Sequence, residues 1–561
     1  MRGSFFVAAA TALTLVVGGV GASGVSAEPS AVLPITTSAA GESALTGSTR
    51  ANPAPDGPLI TIVTASASTA VVTTTKAKAS LKLPGWLHTS GSTIRTSKNK
   101  KYVIKAVAWF GMETSNCAPH GLWTIRLQNG LAQIKSMGFN TIRLPFSNEC
   151  IAAKTTNSIN YDKNPSLEGK SPLKVMDFFI AKAKAAGLNV ILDRHRPGSD
   201  AQSELWYTAK YSEKKWISDW KALAKRYKKQ SAVIGFDLHN EPHGSACWGC
   251  GKKSVDWRAA AIRAGNAVLK TNPKLLIIVE GVENQGSSST WWGGGLAGAK
   301  SKPVTLKVKH RVVYSPHEYP SSIYPQKWFA ASNYPKNLPS VWDRNWGYLD
   351  KKNIAPVLVG EFGTKLETSS DKQWLKKLVT YLKSNQISFA YWSFNPNSGD
   401  TGGLVKDDWK TRQKSKLAYL KPLLGSGTKL VTPAPDPKPS PAPTPAPTPT
   451  TPTTPTTPNV PGAAASGTWK LQSSWNTGYV ANITVATTTG TAGWKVSWPD
   501  THATRIASAW GMTCSIKKGV SITCASASYA SAIPAGGSVE VGVSVDSTTA
   551  PARPALKVTA H

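Results

Sequence analysis

From residue 84 to residue 425 the chain alternates two kinds of apolar spacing. Eight short runs read as buried strands: "YVIKAVAWF", "NTIRLPF", "NVILDRH", "VIGFDLHNE", "LLIIVEG", "RVVYSPH", "APVLVGEFG" and "ISFAYWSFN". They are rich in Val, Ile and Phe and too short for helices. Between them lie amphipathic stretches such as "LAQIKSMG", "PLKVMDFFIAKAKAAG", "KKWISDWKALAKRYKK", "VDWRAAAIRAGNAVLK" and "KQWLKKLVTYLK", several closed by the Gly or Asn of a helix C-cap. Strands each trailed by a helix predict an α/β fold, a (β/α)8 barrel with loop insertions.

The flanks follow other patterns. Residues 1–27 predict a signal peptide: Arg2 carries the charge, Phe5 to Val20 the apolar region, and Val25 to Ala27 a small-residue cleavage site. Gly18, Gly19 and Gly21 shorten the apolar span below the ~20 residues a bilayer needs, so no membrane association is expected after cleavage. Residues 28–83 are rich in Ala, Ser, Thr and Val without helical period and read as a low-complexity, flexible leader. Residues 431–461 form a Pro/Thr tract whose prolines fix extended backbone, a semi-rigid linker of about 80 Å. From 467 to 561 the runs "YVANITVATT", "GWKVSWP", "RIASAWGM", "VSITCASASY" and "SVEVGVSV" alternate as strands do, predicting an all-β sandwich module.

Composition changes this picture only at two points. Among 561 residues, 65 are basic and 31 acidic, a formal charge of +34. The cations are scattered at spacings that put them on solvated faces, and no nucleic-acid motif accompanies them, so no nucleic-acid partner is expected. Export would put the six cysteines in an oxidising compartment. Proximity pairs Cys117 with Cys150, Cys247 with Cys250 and Cys514 with Cys524, among fifteen combinatorial pairings. "CWGC" has no second Cys-x-x-Cys, which disfavours a zinc site.

Each barrel run ends on a chemically active side chain: Arg143, His195, Asn240 with Glu241, Glu280, His317, Glu361 and Trp392. Strand C-termini of a parallel barrel share one face, so these residues are expected to converge on one cleft. Pro242 keeps Glu241 out of a helix and ends its strand.

The motifs "TIRLP" (141–145), "HNEP" (239–242), "GEFG" (360–363) and "YWSFNP" (391–396) resemble glycoside hydrolase family 5, in its bacterial cellulase branch. The likeness implies Glu241 as acid/base after the fourth strand and Glu361 as nucleophile after the seventh, with Arg143, His195, Asn240, His317, Tyr319 and Trp392 in support. The C-terminal segment resembles a family 2 carbohydrate-binding module, with Trp475, Trp510 and Tyr529 at its aromatic-row positions, Tyr529 standing where Trp is commoner.

Cleavage with retention needs two carboxyl groups about 5–5.5 Å apart, one donating a proton and one attacking the sugar. Asp193 and Glu280 are rival carboxylates near strand ends, and either would suit an inverting arrangement at about 6.5–9.5 Å. Asn240 is read as a contact to the sugar 2-hydroxyl or as a turn residue before proline; His195 and His317 as site residues or as buried, satisfied histidines. Trp392 and Trp292 are candidate sugar platforms, and Trp206 and Tyr207 offer further aromatic faces. The reading is a secreted, retaining endo-β-1,4-glucanase acting as a monomer on a β-glucan polysaccharide, with no cofactor and no metal expected. A β-mannanase, a xyloglucanase and a non-catalytic glycan-binding protein remain alternatives.

Overall fold

The computed structural model describes residues 83–434 and 465–561, apart from 287, 476, 477, 528 and 529. The expected signal peptide, all but the last residue of the expected leader and nearly all of the expected linker lie outside the described residues.

Eight parallel strands form the barrel: β1 (Lys105–Ala108), β2 (Thr141–Ser147), β3 (Asn189–Arg196), β4 (Val233–Asp237), β5 (Leu276–Glu280), β6, β7 (Leu358–Phe362) and β8 (Ser388–Tyr391). Neighbours in sequence pair with each other, and β8 returns to β1 through Ala390 and Ala106. Pro316 has no N–H to give to a ladder and splits β6 into two pieces. Val312–Ser315 pairs with β5, and His317–Glu318 pairs with β7. The Pro316 carbonyl, still an acceptor, takes the Gly360 N–H at 2.9 Å and keeps the break in register.

Helices α1 (Leu127–Ser136), α2 (Pro172–Ala185), α3 (Glu213–Arg226) and α4 (Trp257–Thr271) follow the first four strands and α5 (Leu338–Trp342) follows β6. The last two, α6 (Ser369–Asn385) and α7 (Lys414–Leu424), follow β7 and β8. In α3 the apolar positions Trp216, Trp220, Leu223 and Ala224 share one face and are buried, while Lys214, Lys221 and Lys225 are exposed. Its first turn is capped by the Ser212 hydroxyl, which accepts from the Lys215 N–H at 3.3 Å. Contrary to the expectation of a helix after every strand, β5 is followed among the described residues by a short hairpin, Asn284–Gln285 with Ser288–Ser289, and a 3-10 turn, Ala297–Lys300, with no α-helix before β6. The intervening Gly293, Gly294 and Gly295 oppose helix formation there. No helix among the described residues is long and apolar enough to cross a membrane.

The strands' two-residue period separates two cores. Outward residues such as Val107, Ile142, Leu144, Val190, Leu192, Ile277 and Val279 pack against the helices. Inward residues Ala106, Ile191, Ile278, Val313 and Ala390 fill the lower barrel, closed from beneath by Leu87 and Ile94 of the hairpin Leu87–Ser90 and Thr93–Thr96. Two residues further along the same inward rows stand Asp193, Glu280, Ser315 and Trp392. The inward row therefore passes from hydrocarbon to polar groups as each strand approaches its C-terminus.

The C-terminal segment forms two four-stranded antiparallel sheets. Its strands are β9 (Ala465–Trp475), β10 (Gly478–Thr487), β11 (Trp494–Pro499), β12 (Ala503–Trp510), β13 (Met512–Lys517), β14 (Ser521–Ser526), β15 (Ser538–Ser547) and β16 (Lys557–Ala560). The orders are β9-β10-β15-β12 and β13-β14-β11-β16. Alternate residues face a shared core: Tyr479, Ala481, Ile483 and Val485; Trp494, Val496 and Trp498; Val541, Val543 and Val545. The sequence pattern missed β9, β13 and β16, whose alternating apolar residues Trp469, Leu471, Cys514, Ile516 and Val558 are only partly buried against the core. All six cysteines are bonded, Cys117 to Cys150, Cys247 to Cys250, and Cys514 to Cys524, the last pair directly opposite each other in the β13–β14 ladder.

Trp220 stacks on Phe236 at 4.4 Å and gives its indole N–H to the Leu238 carbonyl at 3.1 Å, joining α3 to β4. Trp220→Ala is expected to cost about 3–5 kcal/mol, a cavity plus a lost transfer term. Trp292→Ala, at a side chain 45% exposed, should change stability by less than about 1 kcal/mol. Denaturant unfolding of the two variants measures the contrast.

Candidate active site

Arg143 stands at the centre of the upper barrel, wholly buried on β2. Its Nε lies 3.0 Å from Asp237 Oδ2, its Nη1 3.1 Å from Asp193 Oδ2 and 2.5 Å from Glu361 Oε1, and its Nη2 3.1 Å from Glu280 Oε1. Nη2 also donates to Asn240 Oδ1 at 2.8 Å. One guanidinium thus faces four carboxyl groups. Burial pushes Asp193 and Asp237 up to about 7 against the pull of Arg143, and pushes Glu280 well above the usual carboxylate range.

Glu361 closes β7 and offers both oxygens to donors: Oε1 to Arg143 and Oε2 to the Tyr319 hydroxyl at 2.6 Å. Burial and the Glu361 charge together hold the Tyr319 hydroxyl well above its ordinary pKa, so it remains a donor. Glu241, beyond the end of β4, adopts a left-handed backbone with φ of +55°, uncommon for a residue with a Cβ. Its Oε1 is 2.9 Å from His317 Nδ1. Burial opposes a charge on His317, but the Glu280 and Glu361 carboxylates and hydrogen bonds to Glu241 and Glu280 outweigh it and raise the imidazole well above its ordinary pKa. One carboxylate oxygen of Glu241, one of Glu361 and one His317 nitrogen lie within 4.8 Å of one another. Asp193, Asp237 and Glu280 form a second group of the same dimension, all three in contact with Arg143.

The aromatic wall is built on the same strand ends. His195 gives its Nδ1 proton to Asp193 Oδ2 at 2.6 Å, and burial pushes the imidazole down to about 3, so the ring is neutral. Trp392 lies nearly parallel to His195 and to Phe110, with centroids at 5.2 and 5.4 Å. Trp292 stacks on His243 at 3.8 Å, and His243 Nδ1 donates to the Glu241 carbonyl at 2.6 Å. Arg143, His195, Asn240, Glu241, His317, Tyr319, Glu361 and Trp392 are thus joined in one contact network, with Trp292 adjacent.

The residues 98–398 match the family model described as cellulase, glycosyl hydrolase family 5. The chain belongs to glycosyl hydrolase family 5. An endoglucanase of Paenibacillus polymyxa is 52% identical over 342 residues, 60% of this chain and 86% of that one. The major extracellular endoglucanase of Xanthomonas campestris is 40% identical over 331 residues, 58% and 68% of the two chains. A solved endocellulase from the archaeon Pyrococcus horikoshii superposes with a TM-score of 0.58 at 39% identity, covering 61% of this chain and all of that one. Residues 465–560 match a cellulose binding domain model. This family 5 glycoside hydrolase therefore carries its barrel with a C-terminal cellulose-binding module.

Some expectations fail. Trp206 is no platform: it is fully buried against Trp216 and Trp257, with its indole N–H on Glu213 Oε2 at 2.7 Å. Asp237 was overlooked, although a lone charge inside an apolar strand, four residues before Glu241, was a usable signal. Glu318 had no such signal. Its carboxylate accepts from the indoles of Trp291, Trp342 and Trp346 at 3.3, 3.1 and 2.8 Å, and only folding brings these three together. The strands of Trp475 and Trp510 are described, but those two side chains, and Tyr529 altogether, lie outside the described residues.

Removing Arg143 would strand buried carboxylates. Asp193 and Asp237 are raised above their unfolded values, so the stability they contribute is full in acid and is lost as pH rises from 3.8 through about 7. Without the guanidinium both would rise further. Arg143→Met should cost about 3–5 kcal/mol at pH 8 and markedly less at pH 5, as read by calorimetry across pH.

Proposed function

We propose that the chain is a secreted, retaining endo-β-1,4-glucanase in which Glu361 is the nucleophile and Glu241 the acid/base. The observation carrying this reading is the Glu241–Glu361 pair, with carboxylate oxygens within 4.8 Å, compatible with the roughly 5–5.5 Å separation that direct attack requires. Unequal surroundings favour unequal roles. Glu361 is clamped by two donors, Arg143 and Tyr319. Glu241 borders the open platform of Trp292 through His243.

In the first step a Glu361 oxygen attacks the anomeric carbon while Glu241 gives its proton to the glycosidic oxygen, and the carbon–oxygen bond to the leaving sugar breaks. In the second, Glu241 takes a proton from water as the water oxygen attacks the same carbon, and Glu361 departs as a carboxylate stabilised by Arg143 and Tyr319. Two inversions return the β anomer. The Asn240 carbonyl oxygen is committed to Arg143, which leaves its amide NH₂ as the group for a sugar 2-hydroxyl.

The choice of a β-1,4-glucan rests on the endoglucanases to which the barrel is similar, on cellotetraose complexes of the Pyrococcus horikoshii enzyme, and on the cellulose-binding module. Export is supported by the N-terminal pattern of residues 1–27, by the three disulfides and by the extracellular Xanthomonas relative. The Pro/Thr tract is read as a spacer between barrel and module, whose Trp475, Trp510 and Tyr529 are assigned to the cellulose surface.

Glu361→Gln should abolish turnover on every substrate. Glu241→Gln should release dinitrophenol from 2,4-dinitrophenyl β-cellobioside at a near-native first-step rate while losing about 10²–10⁴-fold on cello-oligosaccharides. Proton NMR of the first product should detect the β anomer. An α anomer first, or faster depletion of mannan or xyloglucan than of soluble cellulose, would overturn the reading.

Truncation after Leu424 should leave activity on soluble glucan unchanged and lower it on crystalline cellulose, because tethering raises only the local concentration at a surface. Equal depletion of both forms from solution by crystalline cellulose would refute the anchoring role.

A further inference from the structure

Glu280 takes no part in the two chemical steps, yet it touches the backbone of the acid/base and reaches its carboxyl through His317. It closes β5, its side chain is wholly buried, and its burial puts it well above the usual carboxylate range. Its Oε2 accepts the Glu241 backbone N–H at 2.7 Å. Its Oε1 lies 3.1 Å from Arg143 Nη2 and 3.3 Å from His317 Nε2. The opposite nitrogen of the same imidazole, Nδ1, meets Glu241 Oε1 at 2.9 Å.

The backbone at Glu241 needs such a hold. Its φ of +55° is sterically disfavoured for a residue with a side chain, and Pro242 narrows its options further. A left-handed turn persists at a site only where the surroundings over-determine it. The N–H turned inward by this conformation would be buried without a partner if Glu280 were absent. Loop packing seals the bond: a Cβ on Gly293 would fall 2.5 Å from Glu280 Oε2 and 3.3 Å from Glu241 Cα. Every group presented to the Glu280 oxygens is an N–H donor. An amide in its place would turn its own NH₂ against one of them.

We propose that Glu280 is the positioning residue of the general acid: it fixes the left-handed turn through the Glu241 N–H and fixes the Glu241 carboxyl through His317. The inference rests on the acid/base role of Glu241. It assigns Glu280 a role separate from its service as one of four counter-ions to Arg143, and the two roles leave different kinetic marks. In the first, glycosylation step a misaimed acid slows only bonds whose leaving group needs a proton, whereas a disturbed Arg143 slows nucleophilic attack on all substrates.

The test compares Glu280→Gln and Glu280→Asp with Glu241→Gln on 2,4-dinitrophenyl β-cellobioside, whose leaving group needs no proton, and on cellotetraose. The initial burst of dinitrophenolate with a 2-fluoro analogue counts competent sites, so misfolded protein does not enter the rates. Glu280→Gln should lose about 10- to 100-fold on cellotetraose, part of the full general-acid effect, and less than about threefold in the first-step release of dinitrophenolate from the aryl substrate. Glu280→Asp keeps a carboxyl group beside Arg143 but falls a methylene short of the Glu241 N–H, and should show the same split. Equal losses on both substrates in the two Glu280 variants, with Glu241→Gln still discriminating between them, would overturn the positioning role. Loss of discrimination in Glu241→Gln itself would instead overturn the acid/base reading.

Discussion

The upper barrel is organised by one buried guanidinium. Arg143 donates to, or lies in ion-pair contact with, side chains carried by β3, β4, β5 and β7 or the residues just beyond them. Four carboxylates in a dry space would repel and would be poorly solvated. The planar fork of an arginine can meet several acceptors at once, which an ammonium cannot do with the same geometry. The positions of Asp193, Asp237, Glu280 and Glu361 are mutually dependent because they share it.

From this constraint follows the separation of two otherwise similar carboxyl groups. Glu361 sits in the ring of donors, between a cation and a phenol that burial keeps protonated. Glu241 sits on a turned-back backbone, with His317 between it and the buried Glu280. Under the proposed roles, environment rather than residue type divides the labour. The aromatic surfaces are tied to the same frame: His195 links Trp392 to Asp193, and His243 links Trp292 to Glu241.

A second buried carboxylate, Glu318, shows the opposite solution to burying charge. Its direct hydrogen-bond partners among the described residues are indoles. Three indole N–H groups surround it, and burial still pushes it up to about 7. It gathers Trp291, Trp342 and Trp346 behind the Tyr319 side of the cleft, where Trp291 meets the Tyr319 ring edge-on at 6.3 Å. Adjacent residues His317, Glu318 and Tyr319 thus bind three different networks.

The barrel and the residues that line most of the cleft were legible in the order of residues alone. Strand periodicity is local, and a parallel barrel has one catalytic face, so a polar residue at the end of an apolar run is marked for that face without knowledge of any contact. Arg143, Glu241, His317 and Glu361 were legible for that reason, as was the sandwich from its alternating runs. What only the tertiary structure decided are the relations between residues far apart in the chain. Trp206 and Trp292 look alike in sequence, yet one fills the core and the other is open, because burial depends on which helices pack above each loop. The left-handed turn at Glu241 and the bond that Glu280 makes to it join β4 to β5 across 39 residues. No local pattern encodes that bond: a hydrogen bond is short and directional, and its partners are chosen only when the barrel closes.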